Sequence, residues 1–508
     1  MTGSTRSSTV DDIVGRSAAR APGDTAVLFQ DRAWTYAELD AAVSRVARHL
    51  LDLGASAGDR VAAYGKNSDA YLIGFLACAR AGLVHVPINF ALRGAELSYL
   101  LEQSGSSMVL VDPPLRPAVD EVGTASVHVV ALRDEPGSLL EVSSAGPVPD
   151  LDVAVVDTDL VQLLYTSGTT SRPKGAMMTH RALVHEYLSC LVGLDLTKDD
   201  APLHAMPLYH SAQMHVFLMP WLAVGARNTI VETPDPTDVL RRIEEDGHGA
   251  FFAAPTLWVA LAGNPDFTRR DLSSLRKAYY GASIMPGPVL EKLRSALPEL
   301  GFYNCFGQSE IGPLATILRP EEHDARPTSA GRAALFVELR VVNDEGADVA
   351  PGELGEVVYR SPQLCEGYWD KPEESTEAFR GGWFHSGDLV RVDEAGYLEV
   401  VDRIKDVINT GGILVASREV EDALYTHPGV GEAAVVGIPD ERWIEAVTAY
   451  VVPRDDADTT TLPDQLVKHV RDHLAPFKVP KSVHLVESLP RNASGKILKR
   501  ELRDAPSE

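Results

Sequence analysis

The sequence predicts an α/β protein: a large N-terminal domain of α/β layers with a β-rich subdomain, followed by a small α+β domain at the C-terminal end. Three observations carry this. Helix and strand signals alternate through the first third of the chain, which implies parallel strand pairing. From about Gly331 the texture changes to short β-type runs separated by turns, and after Arg403 a compact stretch mixes helices with strands. A chain of 508 residues is also too long for one hydrophobic core, so at least two domains are expected. The boundary is placed near Asp402, dividing residues 1–402 from 403–508.

The elements follow in order. Thr35 and Glu38 form a capping-box pattern, and Leu39, Val43, Val46 and Leu50 continue at helical spacing until Gly54 stops the helix. Arg60–Tyr64 reads as a buried strand, 70–81 as a mostly apolar helix and 83–88 as a second strand. A helix over 96–102 ends before Gly105, and 108–112 is again a strand. Residues 133–152 carry Pro, Gly, Ser and acids without a period, and read as a surface connection. A strand at 160–165 runs into a polar loop. Val239, Leu240 and Ile243 mark an amphipathic helix after Pro236, and 251–254 and 277–280 are strands. Strands are expected at 337–342, 355–359, 397–400, 433–437 and 446–452, with helices at 419–425 and 466–474. There is no internal repeat and no low-complexity tract.

Composition excludes several classes. The apolar share of 45% and the charged share of 23% are ordinary for a globular protein. A formal net charge of -25 argues against nucleic acid or anionic membrane as the main partner, since either would be repelled. The 4 cysteines are far apart and form no CxxC pair, which argues against a zinc site or disulfide framework and points to the cytoplasm. Residues 1–10 lack the apolar core of a signal peptide. No membrane span is expected, because the richest apolar stretch, 206–224, is broken by Pro207, His210, Gln213, His215 and Pro220.

The loop after the strand at 160–165 is the first chemical signal. Thr166-Ser-Gly-Thr-Thr-Ser-Arg-Pro-Lys-Gly175 offers five hydroxyls, glycines near both ends, and the cations Arg172 and Lys174. Small residues let backbone N–H groups approach phosphate oxygens, and a lysine adds a point charge for the outer phosphates. The loop is not a Walker A motif, which would end in Gly-Lys-Ser/Thr where this chain has Pro173-Lys174-Gly175. Its bland alternative is a polar surface loop.

At this loop the chain resembles the adenylate-forming superfamily, in its acyl-CoA synthetase and AMP-dependent ligase branch. The resemblance runs from about Asp11 to Arg503, with Ser171 standing where glycine is usual. Tyr303-Asn-Cys-Phe-Gly-Gln-Ser-Glu310 matches a second motif. It implies that Asn304 and Phe306 lie against adenine, with Gly307 beside them, that Ser309 touches the α-phosphate and that Glu310 holds Mg²⁺. Gly281, Ala282 and Ser283 are implied in nucleotide binding by position, with Thr166, Ser167, Gly168, Thr169, Thr170 and Lys174. Trp383-Phe-His-Ser-Gly-Asp388 implies Asp388 on the ribose hydroxyls, and Asp402-Arg-Ile-Lys-Asp406 implies Arg403 on ribose and phosphate and Lys405 as the hinge of a mobile C-terminal domain. Pro490-Arg-Asn-Ala-Ser-Gly-Lys496 implies that Lys496 reaches the substrate carboxylate and the α-phosphate.

The resemblance implies ATP- and Mg²⁺-dependent activation of a carboxylic acid to acyl-AMP with release of pyrophosphate, then transfer to the thiol of CoA. A carboxylate must attack a phosphate that is itself negative, so cations acting in the transition state are required. Lys496, Lys174, Glu310 and Ser309 are the expected catalytic residues. For the thiol step the matching glycines are Gly411 and Gly412, where a pantetheine arm could pass close to backbone; their alternative is a tight turn, and Ile413 and Leu414 depart from the polar residues frequent there. The acyl pocket is expected to involve His210, Met214, Phe252, Tyr280 and Ser283. His210 reads either as a gate or as a satisfied core histidine. No aspartate stands where amino-acid-activating domains hold an α-amine, so a hydrophobic acid is expected.

The partners implied are that acid, ATP, and CoA or a carrier protein as acceptor; a homodimer is compatible. Transfer to a carrier protein is the nearest alternative. A non-catalytic acyl or nucleotide binder is opposed by the presence together of Lys174, Glu310, Asp388, Arg403 and Lys496. A serine hydrolase is opposed by the lack of a GxSxG elbow.

Overall fold

In a computed structural model, the structure describes residues 8–123, 127–166, 172–282, 285, 287–440, 442–454, 457–491 and 497–503. Their strands form four sheets. A six-stranded sheet runs in the order His128–Ala131, Met108–Val111, Arg60–Tyr64, Val84–Ile88, Leu160–Thr166, Lys174–Thr179. Its early strands pair in parallel, as the alternation of helix and strand predicted. The last pair is an antiparallel hairpin with Thr166 opposite Lys174. Lys174 and Gly175, read from the sequence as the end of a loop, therefore open a strand. The run Lys174–Thr179 is inter-strand bonded along its length, which takes these two residues out of the loop.

A nine-stranded sheet places Ala250–Ala253, Lys277–Gly281 and Gly301–Phe306 side by side in parallel at its centre. A four-stranded antiparallel sheet ends at Leu398–Arg403. A five-stranded sheet begins at Ile408–Thr410 and carries its own apolar cluster, with Val420, Leu424, Val435, Val447 and Val470. The chain is thus a large N-terminal domain and a smaller C-terminal domain, both of mixed α/β character.

Local chemistry explains most of the predicted elements. The Thr35–Glu38 capping box is formed in both directions at the start of Tyr36–Asp52. Ser68, Thr179 and Asp235 each cap a helix by accepting a backbone N–H. The region 133–152 is not purely a connection. Ser138 caps a short helix, Leu139–Ser144, which buries Leu139; with only two turns, it was too short to show a period.

The stretch 206–224 forms a π-helix, Ala212–Leu218, running into the helix Met219–Val224. Two of the polar residues that broke its apolar run, Gln213 and His215, are its anchors. Gln213 accepts from the Met206 N–H at 3.1 Å and meets His204 at 2.8 Å, and His204 meets Asn228 at 2.9 Å. His215 meets Gln162 at 2.6 Å and Tyr187 at 2.8 Å, and Gln162 meets His85 at 3.0 Å. The π-helix is tied to the nine-stranded sheet through the first chain and to the six-stranded sheet through the second. Burial pushes His85 and His215 down to about 3 and His204 to about 4, so the chains are neutral, as buried networks need to be.

Candidate active site

The hairpin that carries the phosphate-type loop is held rigidly where it is described. The Tyr99 hydroxyl donates to the Pro173 carbonyl at 3.0 Å, and the Arg172 guanidinium lies 5.1 Å above the Tyr99 ring. The Trp369 N–H donates to the Gly175 carbonyl at 2.8 Å. A side chain at Gly175 would start 3.1 Å from the Tyr165 ring. Ser167, Gly168, Thr169, Thr170 and Ser171 lie outside the described residues, as do Ser283 and Lys496.

Glu310 is the meeting point of the described site. It is 7% exposed and sits on a short helical turn directly after the strand Gly301–Phe306 and its Gly307 bend. Its Oε1 accepts from the Thr166 hydroxyl at 3.1 Å and from the Tyr368 hydroxyl at 3.1 Å. The Lys174 Nζ lies 5.1 Å over the Tyr368 ring. Burial first, and then the Glu310 charge, hold the Tyr368 phenol far above its usual range, so it stays protonated and donates. Ser309 shares a 2.9 Å hydroxyl contact with Ser211, the residue that precedes the π-helix.

The turn beneath Glu310 is cast against a buried carboxyl group. Glu186 is fully buried and accepts from the Leu314 N–H at 2.9 Å. Gln363 donates to Glu186, to the Ile311 carbonyl at 3.2 Å and to the Leu314 carbonyl at 3.1 Å. Gly312 has φ +106°, and a Cβ there would lie 3.0 Å from the Glu186 carboxylate. At Gly307, with φ +155°, a Cβ would fall 2.0 Å from the Pro313 carbonyl oxygen, and at Gly281 one would fall 2.2 Å from the Cys305 carbonyl oxygen. These are close approaches that only glycine permits. Ala282 follows at φ +64°, an uncommon conformation for a residue with a Cβ.

On the other flank Asp388 and Arg403 are cross-strand partners joined by a 2.7 Å ion pair. Arg403 also donates to the Ser386 carbonyl at 3.2 Å. Burial works against the Arg403 charge, but Asp388, Glu310 and Asp406 outweigh it and raise its pKa. Asn304 donates to the Ser329 carbonyl at 3.1 Å, and Phe306 is half-buried at the end of the same strand.

The residues expected to line an acyl pocket are not all brought together. Phe252 stacks on Phe217 at 4.3 Å and shares one face of the nine-stranded sheet with Tyr279. Tyr280 packs on the opposite face and meets His323 at 3.0 Å. Neighbouring residues of a strand point to opposite faces, so grouping Phe252 with Tyr280 overlooked the pleat. Met214 is fully buried in the first core cluster. His210 is half-buried, and its Nδ1 lies 3.3 Å from the Ala212 N–H, at the entry to the π-helix.

Gly411 and Gly412 form the two-residue turn of a hairpin, with φ +63° and +85° and Thr410 opposite Ile413. Both signs are those of the turn type that favours glycine pairs, so the tight-turn reading describes their geometry. Ile413 and Leu414 beside them are 47% and 63% exposed. Tyr368, Glu186 and Gln363 escaped the sequence reading, because each meets the site through long-range contacts that no local spacing announces. Among the described residues there is no cluster of three or more metal-ligating side chains, and no helix is long and apolar enough to cross a membrane.

A model of the AMP-binding enzyme family matches residues 14–369, and a model of the AMP-binding enzyme C-terminal domain matches 419–496. The chain is 40% identical over 488 residues to a feruloyl-CoA synthase of an Amycolatopsis species, covering 96% of this chain and 97% of the relative. It is 34% identical over 502 residues to a fatty acid–[acyl-carrier-protein] ligase of Streptomyces coeruleorubidus, covering 96% and 94%. Among solved structures it superposes on ATP-bound MatB from Rhodopseudomonas palustris with a TM-score of 0.89 at 30% identity, covering 98% and 99%. Against apo MatB, at the same identity and coverage, the score is 0.78.

Proposed function

Because this chain belongs to the AMP-binding enzyme family, we propose that it is an AMP-forming acid–thiol ligase that converts a hydrophobic carboxylic acid to its acyl-adenylate and then to its CoA thioester. The observation that carries the reading is the convergence on Glu310: Thr166 from the phosphate hairpin, Tyr368 with Lys174 above it, and the charge of Arg403.

Each half of the reaction then has its residues. Lys174 and the hairpin hydroxyls orient the β- and γ-phosphates. Asp388 and Arg403 hold the ribose, and Asn304 and Phe306 face adenine. One carboxylate oxygen attacks the α-phosphorus, the bond to pyrophosphate breaks, and Lys496 offsets the charge of both reacting groups. The thiol then displaces AMP from the acyl carbon. Positioning supplies most of the rate.

The donor set fits Mg²⁺. A buried carboxylate beside a threonine hydroxyl gives hard oxygen ligands, as suits an ion held largely by phosphate and water. When bound, the ion neutralises phosphate charge. The residues after Lys405 serve as a lid turning about it: Lys405 lies between the last strand of the N-terminal four-stranded sheet, which keeps Arg403, and the first strand of the C-terminal sheet. Four free, buried cysteines support a cytoplasmic setting.

A screen of hydrophobic acids, from aryl-propenoic to long-chain, for acid-dependent pyrophosphate release tests this reading. Release of ADP, or no release with any acid, would contradict it. A carrier protein as acceptor is the second reading, favoured by the full-length similarity to a ligase that acts on an acyl-carrier protein. Accumulation of acyl-AMP in the presence of CoA would select it.

A further inference from the structure

The two domains are joined by a buried hydrogen-bonded chain at the hinge. Asp402 belongs to the N-terminal domain, in register with Leu389 of the neighbouring strand. Ser417 opens the helix Ser417–Tyr425, whose Val420 and Leu424 pack into the C-terminal core. The Ser417 N–H donates to Asp402 Oδ2 at 2.6 Å, and its hydroxyl donates to the same oxygen at 2.7 Å. The hydroxyl also accepts from the Lys499 Nζ at 2.6 Å, and Lys499 pairs with Glu421 at 2.8 Å. Ser417 is fully buried and Asp402 is 7% exposed. Next to Ser417, Arg418 donates to the Val400 carbonyl, also across the boundary.

These bonds are specific to one orientation. Asp402 precedes the proposed pivot at Lys405 and stays with the N-terminal domain, whereas Ser417, Glu421 and Lys499 travel with the lid. Any large turn about Lys405 breaks both Ser417 bonds and leaves the Asp402 carboxylate to be resolvated. Taken whole, the chain superposes more closely on the ATP-bound than on the ligand-free structure of one neighbour, 0.89 against 0.78 at equal identity and coverage. Hydrogen bonds to a buried carboxylate are the strong kind. A contact present in one of two states shifts their populations by its full differential energy.

We propose that Asp402, Ser417 and Lys499 form a latch that favours the adenylating orientation of the lid, with Ser417 as a positioning residue for the first half-reaction. The inference rests on the ligase reading above.

Ser417→Pro is the direct test. Ser417 is the first residue of its helix, where proline is well accommodated, and Ala416 before it has φ −69° and ψ 120°, a conformation allowed before proline. The variant removes both donors while the helix keeps its start. Ser417→Ala removes the hydroxyl alone. The readouts are acid-dependent ATP–pyrophosphate exchange and thioester formation from supplied acyl-adenylate and CoA. In Ser417→Pro, exchange is expected to fall about tenfold or more relative to thioester formation, with Ser417→Ala intermediate. Thioester formation itself reports that the variant is folded. An unchanged ratio of the two rates, or equal losses in both, overturns the latch. Absence of exchange in the unmodified protein would instead overturn the ligase reading, and the latch with it.

Discussion

The Thr166 hydroxyl donates to the Glu310 carboxylate at 3.1 Å, so the last residue of the phosphate-hairpin strand touches the turn that follows the strand Gly301–Phe306. Residues 144 positions apart in sequence are thereby fixed at one point, with Tyr368 closing the third side.

Replacing Glu310 by glutamine keeps an oxygen that can accept from Thr166 and Tyr368 but removes the charge. Pyrophosphate release is expected to fall by a factor on the order of 10², with a higher Mg²⁺ concentration at half-maximal rate and little change in melting temperature. A metal titration of the rate checks this, and an unaltered half-maximal concentration would remove Glu310 from the metal site.

Lys496→Ala is expected to abolish acid-dependent ATP–pyrophosphate exchange while sparing thioester formation from supplied acyl-adenylate. Near-normal exchange in this variant would sink the role given to Lys496.

Two glycines separate crowding from backbone strain. Gly54, with φ +99°, has nothing within 4 Å of a built Cβ, so Gly54→Ala is expected to cost only about 1 kcal/mol through its backbone conformation. Gly307→Ala would drive a methyl group into the Pro313 carbonyl, and a loss of about 3 kcal/mol or more is expected, together with activity. Denaturant melts of the two variants compare the effects, and equal losses would show that the Gly307 turn yields.

Acid is expected to destabilise the fold through its buried histidines. His85 and His215 are pushed down to about 3, and His180 and His204 to about 4, in each case mainly by burial. Below about pH 6.5 the unfolded chain takes up these protons, and the folded chain does so only near pH 3 to 4. Stability therefore falls with pH across that window, at up to about 1.4 kcal/mol per histidine per pH unit, and above it these groups contribute no slope. His85→Phe is expected to be less stable at pH 7.5, because Gln162 loses a partner, yet to lose less on going from pH 6.5 to pH 5. An identical slope would remove His85 from the account.

Much of this architecture was legible in the sequence because its causes are local. The Thr35–Glu38 box, the strand at Arg60–Tyr64 and the helix around Val239, Leu240 and Ile243 declare themselves within a few residues. What was not legible comes from distant contacts or from geometry finer than composition. The Lys174 strand depends on pairing with Thr166, and the separation of Phe252 from Tyr280 depends on the pleat. The π-helix appears only once Gln213 and His215 find partners on two sheets. Glu186 reads in sequence as one more acid on a helix. Its place under the Glu310 turn is set by Gln363 and Leu314, more than a hundred residues away.

The most direct test of the central claim follows an oxygen atom. The preferred acid is labelled with ¹⁸O in its carboxyl group and turned over with ATP and CoA. Attack by the carboxylate on the α-phosphorus, followed by displacement at the acyl carbon, leaves one carboxyl oxygen in the AMP, so AMP carrying a single ¹⁸O is predicted. Unlabelled AMP, or label appearing in inorganic phosphate alongside ADP, would contradict the account.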